Sequence, residues 1–105
     1  MGSVFISYAH EDETKARKIK ERLEKIGFDV WIDRSAPTSR DDISTVIDNK
    51  LGDVDAVLVL WSAHSNKSVW VRGEALRGLE GNKYFGLLLQ PMVPPVPFNA
   101  ISAPD

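Results

Sequence analysis

The feature that most restricts this chain is an alternation: four short apolar runs, with a segment of helical character between each run and the next. The first run, Ser3 to Ala9 (SVFISYA), is β-branched and apolar enough for a strand buried on both faces. Phe28 to Asp33 (FDVWID) alternates and belongs nearer an edge. Asp55 to Ser62 (DAVLVLWS) is apolar throughout and reads as a central strand, with Tyr84 to Gln90 (YFGLLLQ) as a fourth. Between the first two runs, Ala16, Ile19, Leu23 and Ile26 recur at helical spacing; Asp12 is a candidate N-cap, and Gly27 stands where a C′ glycine belongs. Between the second and third, a loop containing Pro37 leads to a helix capped by Asp41 or Asp42, with Ile43, Val46, Ile47 and Leu51 on one face and Gly52 at its end. The third helical segment is Ser68 to Asn82 (SVWVRGEALRGLEGN).

Such βαβαβαβ alternation specifies an α/β three-layer sandwich, a parallel sheet with helices on both faces. Sheets of this kind bind ligands outside the carboxyl ends of their strands, where the strand order reverses. If the order is 2-1-3-4, that reversal lies between the first and third strands. Tyr8, Ala9 and His10 then face Ser62, Ala63 and His64 across one crevice, and the helix bearing Glu74 starts from the same rim.

The 105 residues make one small domain, and a formal net charge of -2 argues against a nucleic-acid-binding surface. With no cysteine there is no disulfide framework, thiolate nucleophile or Cys-based zinc site, which suits a reducing compartment such as the cytoplasm. No run approaches the roughly 20 apolar residues of a membrane span. No secretory signal precedes the first strand, and Ile6 stands where a myristoylation site wants Ser or Thr. Residues 91–105 form a Pro-rich tail.

Several chemistries lack their motifs. No glycine-rich dinucleotide fingerprint follows the first strand, and no phosphate-binding P-loop is present. A phospho-receiver domain needs an acceptor aspartate at the end of the third strand, where this chain has Leu60, Trp61 and Ser62. His10 and His64 can meet as metal ligands, but with no third partner they read as surface residues and no metal is expected. Glu74 is the carboxylate that stands out. At about 100° per residue, Val71, Ala75 and Leu79 define the buried face of its helix, with Glu74 on the flank, Trp70 one turn before it and Gly78 one turn after. Gly73 and Gly78 each weaken the helix by about 1 kcal/mol relative to alanine, and so need a reason. Close packing on the sheet is one reason; approach of a ligand or neighbouring chain is another. Glu74 by itself also reads as a solvated charge beside Arg77.

Four stretches in this order, VFISYAHED, GFDVWIDR, DAVLVLWS and SVWVRGEAL, resemble the TIR domain, especially its bacterial members. The resemblance covers nearly the whole chain and rests most on the opening strand and helix and on the Trp70-x-x-x-Glu74 pattern. It implies a flavodoxin-like fold whose last strand and helix are missing here, as from a truncated single domain spanning 1–105. It further implies one of two activities. Many members cleave the nicotinamide–ribose bond of NAD+, with the glutamate matched by Glu74 as the catalytic residue; others act only by assembling with further TIR domains. In the first case NAD+ is a substrate and no cofactor is required. By the resemblance, Ser7, Tyr8, Ala9, His10, Asp33, Ser62 and Trp70 border the nucleotide. The segment RSAPTSRDD occupies the BB loop, so Arg34, Ser35, Pro37, Arg40 and Asp41 belong to a homo-oligomeric contact.

The family's habits lead to the expectation of a self-assembling, filament-forming NAD+ glycohydrolase in bacterial immune signalling and antiphage defence, attached to a C-terminal sensor or oligomerising domain. The departures are Arg40 in place of a common glycine, Ala9 in place of serine or arginine, and Trp61 in place of leucine, which narrows the pocket or packs inward.

Overall fold

The computed structural model describes residues 2–32 and 52–94. Four parallel strands, β1 (Ser3–Ser7), β2 (Asp29–Ile32), β3 (Ala56–Trp61) and β4 (Tyr84–Leu88), form one sheet in the order β2-β1-β3-β4. This is the 2-1-3-4 order expected from the sequence. In register, Val4 and Ile6 pair with Val30 and Ile32 on one side, and Val4 and Ser7 with Ala56 and Val59 on the other. Each strand is shorter than its apolar run, because the run continues past the last ladder bond into the loops. Thus Tyr8 and Ala9 lie beyond β1, which frees them to line the crevice.

Side-chain alternation splits the core into two layers. Val4, Ile6, Tyr8, Val30 and Leu60 face helix α1 (Glu13–Lys25), which contributes Ala16, Ile19 and Leu23. Phe5, Val57, Val59 and Trp61 face helix α2 (Val69–Glu80), which contributes Val71, Ala75 and Leu79. Trp61 packs wholly inward, and its Nε1 donates to the Tyr84 hydroxyl at 2.8 Å. Gly86 makes that bond possible, since a Cβ there would overlap the Tyr84 hydroxyl. The large residue at position 61 therefore belongs to the core and does not narrow the crevice.

The helix ends show why the chain turns where it does. Gly27, at φ 101°, follows the C-cap Ile26; its N–H donates to the Glu24 carbonyl and that of Phe28 to the Leu23 carbonyl. This is a Schellman ending, and the C′ glycine expected from the sequence occupies its left-handed position. Helix α2 ends in the same way on a residue that was not anticipated: Asn82, at φ 57°, takes the left-handed place, and Lys83 N–H donates to the Gly78 carbonyl. Ser68 caps the start of α2 by accepting from Val71 N–H.

Asp12 departs from expectation. It stands at the N-cap position of α1 but makes no side-chain cap bond. Its carboxylate instead accepts from Ser62 Oγ, across the crevice. The helix expected from Asp41 or Asp42 to Leu51 lies outside the described residues, as does the tail from residue 95. Gly52 and Asp53 are themselves helical, so Gly52 is not the terminator. Pro91 to Pro94 form neither helix nor strand.

Candidate active site

An open cleft of about 470 Å³ lies beyond the carboxyl ends of β1 and β3, where the strand order reverses. Its described lining comes from the segments that follow those strands: Tyr8, Ala9, His10 and Glu11 on one wall, and His64, Lys67, Ser68 and Trp70, the last on the first turn of α2, on the other. A network of serines and one aspartate ties the walls together. Ser62 Oγ donates to Asp12 at 2.5 Å and accepts from the backbone N–H groups of His64 and Ser65, each at 3.2 Å. Ser62 N–H in turn donates to Ser65 Oγ at 2.7 Å. Asp12, Ser62 and Ser65 are all buried, so these bonds are shielded from competing water.

Behind the cleft wall, Ser7 Oγ donates to Glu74 Oε1 at 2.5 Å. Glu74 is only 3% exposed. Its inward neighbours on α2 are Val71, Ala75 and Gly78. The expected buried stripe of Val71, Ala75 and Leu79 is thus rotated by about 50° toward Glu74, taking 100° per residue. The cause is Gly78, where a Cβ would stand 2.9 Å from the Val57 Cβ. The bare backbone lets α2 come down on β3 at that point and turns Glu74 from the flank to the inside. Gly73 has a different situation, since a Cβ there would meet nothing within 4 Å. No packing within the described chain requires that glycine.

The residues expected to border a nucleotide therefore separate into two groups. Tyr8, Ala9, His10 and Trp70 line the cleft. Ser7, Ser62 and Glu74 do not: all three are buried, and each has a side-chain oxygen in a hydrogen bond. In the single chain the two serine hydroxyls donate to neighbouring carboxylates, Ser7 to Glu74 and Ser62 to Asp12. Asp33 and the loop residues Arg34, Ser35, Pro37, Arg40 and Asp41 lie outside the described residues. Glu11, Lys67 and Ser68 line the cleft without having been singled out; the signal available for them was their place in the loops on either side of the strand-order reversal.

The cleft's histidines each approach a carboxylate, His10 Nδ1 to Glu13 at 3.8 Å and His64 Nδ1 to Glu11 at 3.9 Å. Among the described residues, no group of three or more His, Cys, Asp or Glu side chains is placed to hold a metal ion. Nor is any helix among them long and apolar enough to cross a membrane.

A family model described as "TIR domain" matches residues 4–102. Among solved structures, the chain is similar to the TIR domain of the Toll-related receptor TRR-2 from Hydra magnipapillata. The TM-score is 0.82 at 20% identity, covering 98% of this chain and 82% of that one. It is also similar to the TIR domains of the activated Roq1 resistosome, which directly recognises the pathogen effector XopQ. There the TM-score is 0.68 at 20% identity, covering 84% of this chain and 57% of that one. At this identity both likenesses speak to the fold. A comparison with curated proteins gives no significant match.

Proposed function

This chain belongs to the TIR domain family, and from that premise we propose that it is an NAD+ glycohydrolase that releases nicotinamide and works in immune signalling once assembled with further copies of itself. The observation that carries the reading is the buried Glu74 carboxylate, oriented by the Ser7 hydroxyl just behind a cleft at the carboxyl edge of a doubly wound sheet.

The chemistry suits a single carboxylate. In NAD+ the nicotinamide nitrogen carries positive charge, so the glycosidic electron pair moves onto it and nicotinamide leaves neutral. No general acid is needed. The positive charge passes to the ribose as an oxocarbenium-like centre, as in glycoside hydrolysis. A fixed carboxylate held away from water stabilises that centre strongly. Water then attacks C1′ and loses a proton, giving ADP-ribose; attack by the adenine of the same molecule gives the cyclic product. Trp70 lines the cleft one turn before Glu74 and offers a flat surface for a ring. Since Glu74 lies behind the cleft wall in the single chain, the reading assigns exposure of the carboxylate to assembly.

A second reading draws on the same burial. A carboxylate 3% exposed and bonded to Ser7 also serves as a structural pair. The chain would then be a non-enzymatic module that recruits other TIR domains.

The deciding experiment follows nicotinamide release from NAD+ at high protein concentration and on an artificial clustering scaffold, for the native chain, Glu74→Gln and Glu74→Ala. Cleavage by the native chain, with at least a hundredfold loss in folded variants, is the expected outcome for a group that touches the reacting centre. No cleavage by the clustered native chain would overturn the enzyme reading and leave the recruitment module.

A further inference from the structure

We infer that Lys67 anchors the diphosphate of the ligand in this cleft, so that the cleft selects phosphorylated nucleotides over bare nucleosides; the inference rests on the reading above and names the substrate class of the same site. Lys67 is the one lysine or arginine among the described lining residues, in a chain whose formal net charge is -2. Among the described residues no ion pair engages it, since Glu11, the carboxylate of the cleft lining, lies 3.9 Å from His64.

The base of this lysine is held still. It ends the single 3-10 turn Ser65–Lys67, whose backbone is fixed by Lys67 N–H to the His64 carbonyl and Ser68 N–H to the Ser65 carbonyl. The buried Ser62–Ser65 bonds pin that turn to the end of β3. A lysine rooted on a rigid turn presents a compact point charge suited to phosphate. The spacing agrees with a nucleotide. From Val69, the first residue of α2, to Glu74 is about 7.5 Å along the axis at 1.5 Å per residue. That is the scale of a phosphorylated ribose, so a sugar beside Glu74, once assembly exposes that carboxylate, would have its phosphates near the start of the helix.

The test is a binding titration with ADP and with adenosine, for the native chain, Lys67→Gln and Lys67→Arg, at two salt concentrations. Because Lys67 is exposed, the variants are expected to fold, and circular dichroism checks this. The native chain should prefer ADP. Lys67→Gln should lose ADP affinity by roughly tenfold, the scale of one charge-assisted hydrogen bond, and leave adenosine unchanged. Lys67→Arg should retain most of it, and raising salt should weaken ADP binding less in Lys67→Gln than in the native chain. Equal affinity of the native chain for ADP and adenosine overturns the inference, and so does an equal loss of both in Lys67→Gln. Nicotinamide release, recorded on the same clustered samples, separates the two claims. ADP preference dependent on Lys67 without NAD+ cleavage sinks only the glycohydrolase reading; cleavage without that preference sinks only the role of Lys67.

Discussion

The two glycines of α2 should respond to the same substitution with opposite signs. Alanine at either position recovers about 1 kcal/mol of helix propensity. At Gly73 the new methyl meets nothing within 4 Å, so the gain stands alone. Stability should rise by about 0.5 to 1 kcal/mol, with Tm higher by roughly 4 °C for a domain of this size. At Gly78 the methyl would lie 2.9 Å from the Val57 Cβ and 3.2 and 3.3 Å from its two γ carbons. Carbon atoms pack best at about 3.5 to 4.0 Å, so the nearest overlap is on the order of 0.6 Å or more. The struck atom is a Cβ fixed to an inner strand and cannot swing aside. Overpacking of this kind costs about 1 to 3 kcal/mol, which exceeds the propensity gain and leaves Gly78→Ala destabilised by about 1 kcal/mol. The variants should therefore differ by about 2 kcal/mol, or roughly 10 °C in Tm, in parallel thermal and urea denaturation of the native chain, Gly73→Ala and Gly78→Ala. If Gly78→Ala is stabilised as much as Gly73→Ala, the helix does not rest on β3 there, and the account of why Glu74 faces inward fails with it.

Burial raises the pKa of the Tyr84 phenol, a shift that the bond from Trp61 partly offsets. Sign and window follow from linkage: the unfolded chain releases this proton at about pH 10 and the folded chain only above it, so Tyr84's contribution is intact below pH 10 and is lost as pH rises further. Tyr84→Phe should flatten that alkaline decline in a urea-midpoint profile, while costing about 1 to 2 kcal/mol at neutral pH through the lost Trp61 bond. An unchanged slope would show that the phenol is not the source. Asp12→Ala removes the buried acceptor of Ser62 Oγ and should destabilise the fold by about 1 to 3 kcal/mol, with Asp12→Asn, which keeps an acceptor oxygen, losing less. Equal, negligible losses in both variants by urea denaturation would mean that the bond across the cleft does not hold its walls.

The alternation of apolar runs was enough to read a parallel sheet between two helical layers, because these depend on local periodicity and on general rules of parallel topology; the strand order, and with it the position of the crevice, rested on the flavodoxin-like fold that the family resemblance implies. Gly27 was legible for a similar reason: the Schellman ending needs a left-handed residue directly after the helix, and glycine there is a local signal. Asp12 was not, because the sequence shows an acceptor at the start of a helix but not that Ser62, fifty residues away, reaches it first. Only the closing of β1 against β3 sets that competition. Asn82, at φ 57°, was missed because asparagine, though tolerant of that left-handed place, marks it less strongly than glycine does.

Glu74 shows how the fold and the site depend on one another. Counting apolar residues weights Leu79 and centres the buried stripe on Val71, Ala75 and Leu79. Counting volume weights the gap at Gly78, where contact with Val57 is closest. The helix obeys the second, because dispersion contacts fall away within an ångström and reward the nearest approach. Leu79 is left partly buried while Glu74, on the Gly78 side, is turned in to meet Ser7. A carboxylate cannot be buried there without a donor, and the residue that supplies one ends β1, the strand whose following loop forms the opposite wall of the cleft. The glycine, the serine and the glutamate thus form one arrangement. Replacing Gly78 should therefore disturb Glu74 as well as the helix, and in an active assembly Gly78→Ala should lose nicotinamide release in greater proportion than folded protein. Activity that tracks only the folded fraction would separate the packing of α2 from the placing of its carboxylate.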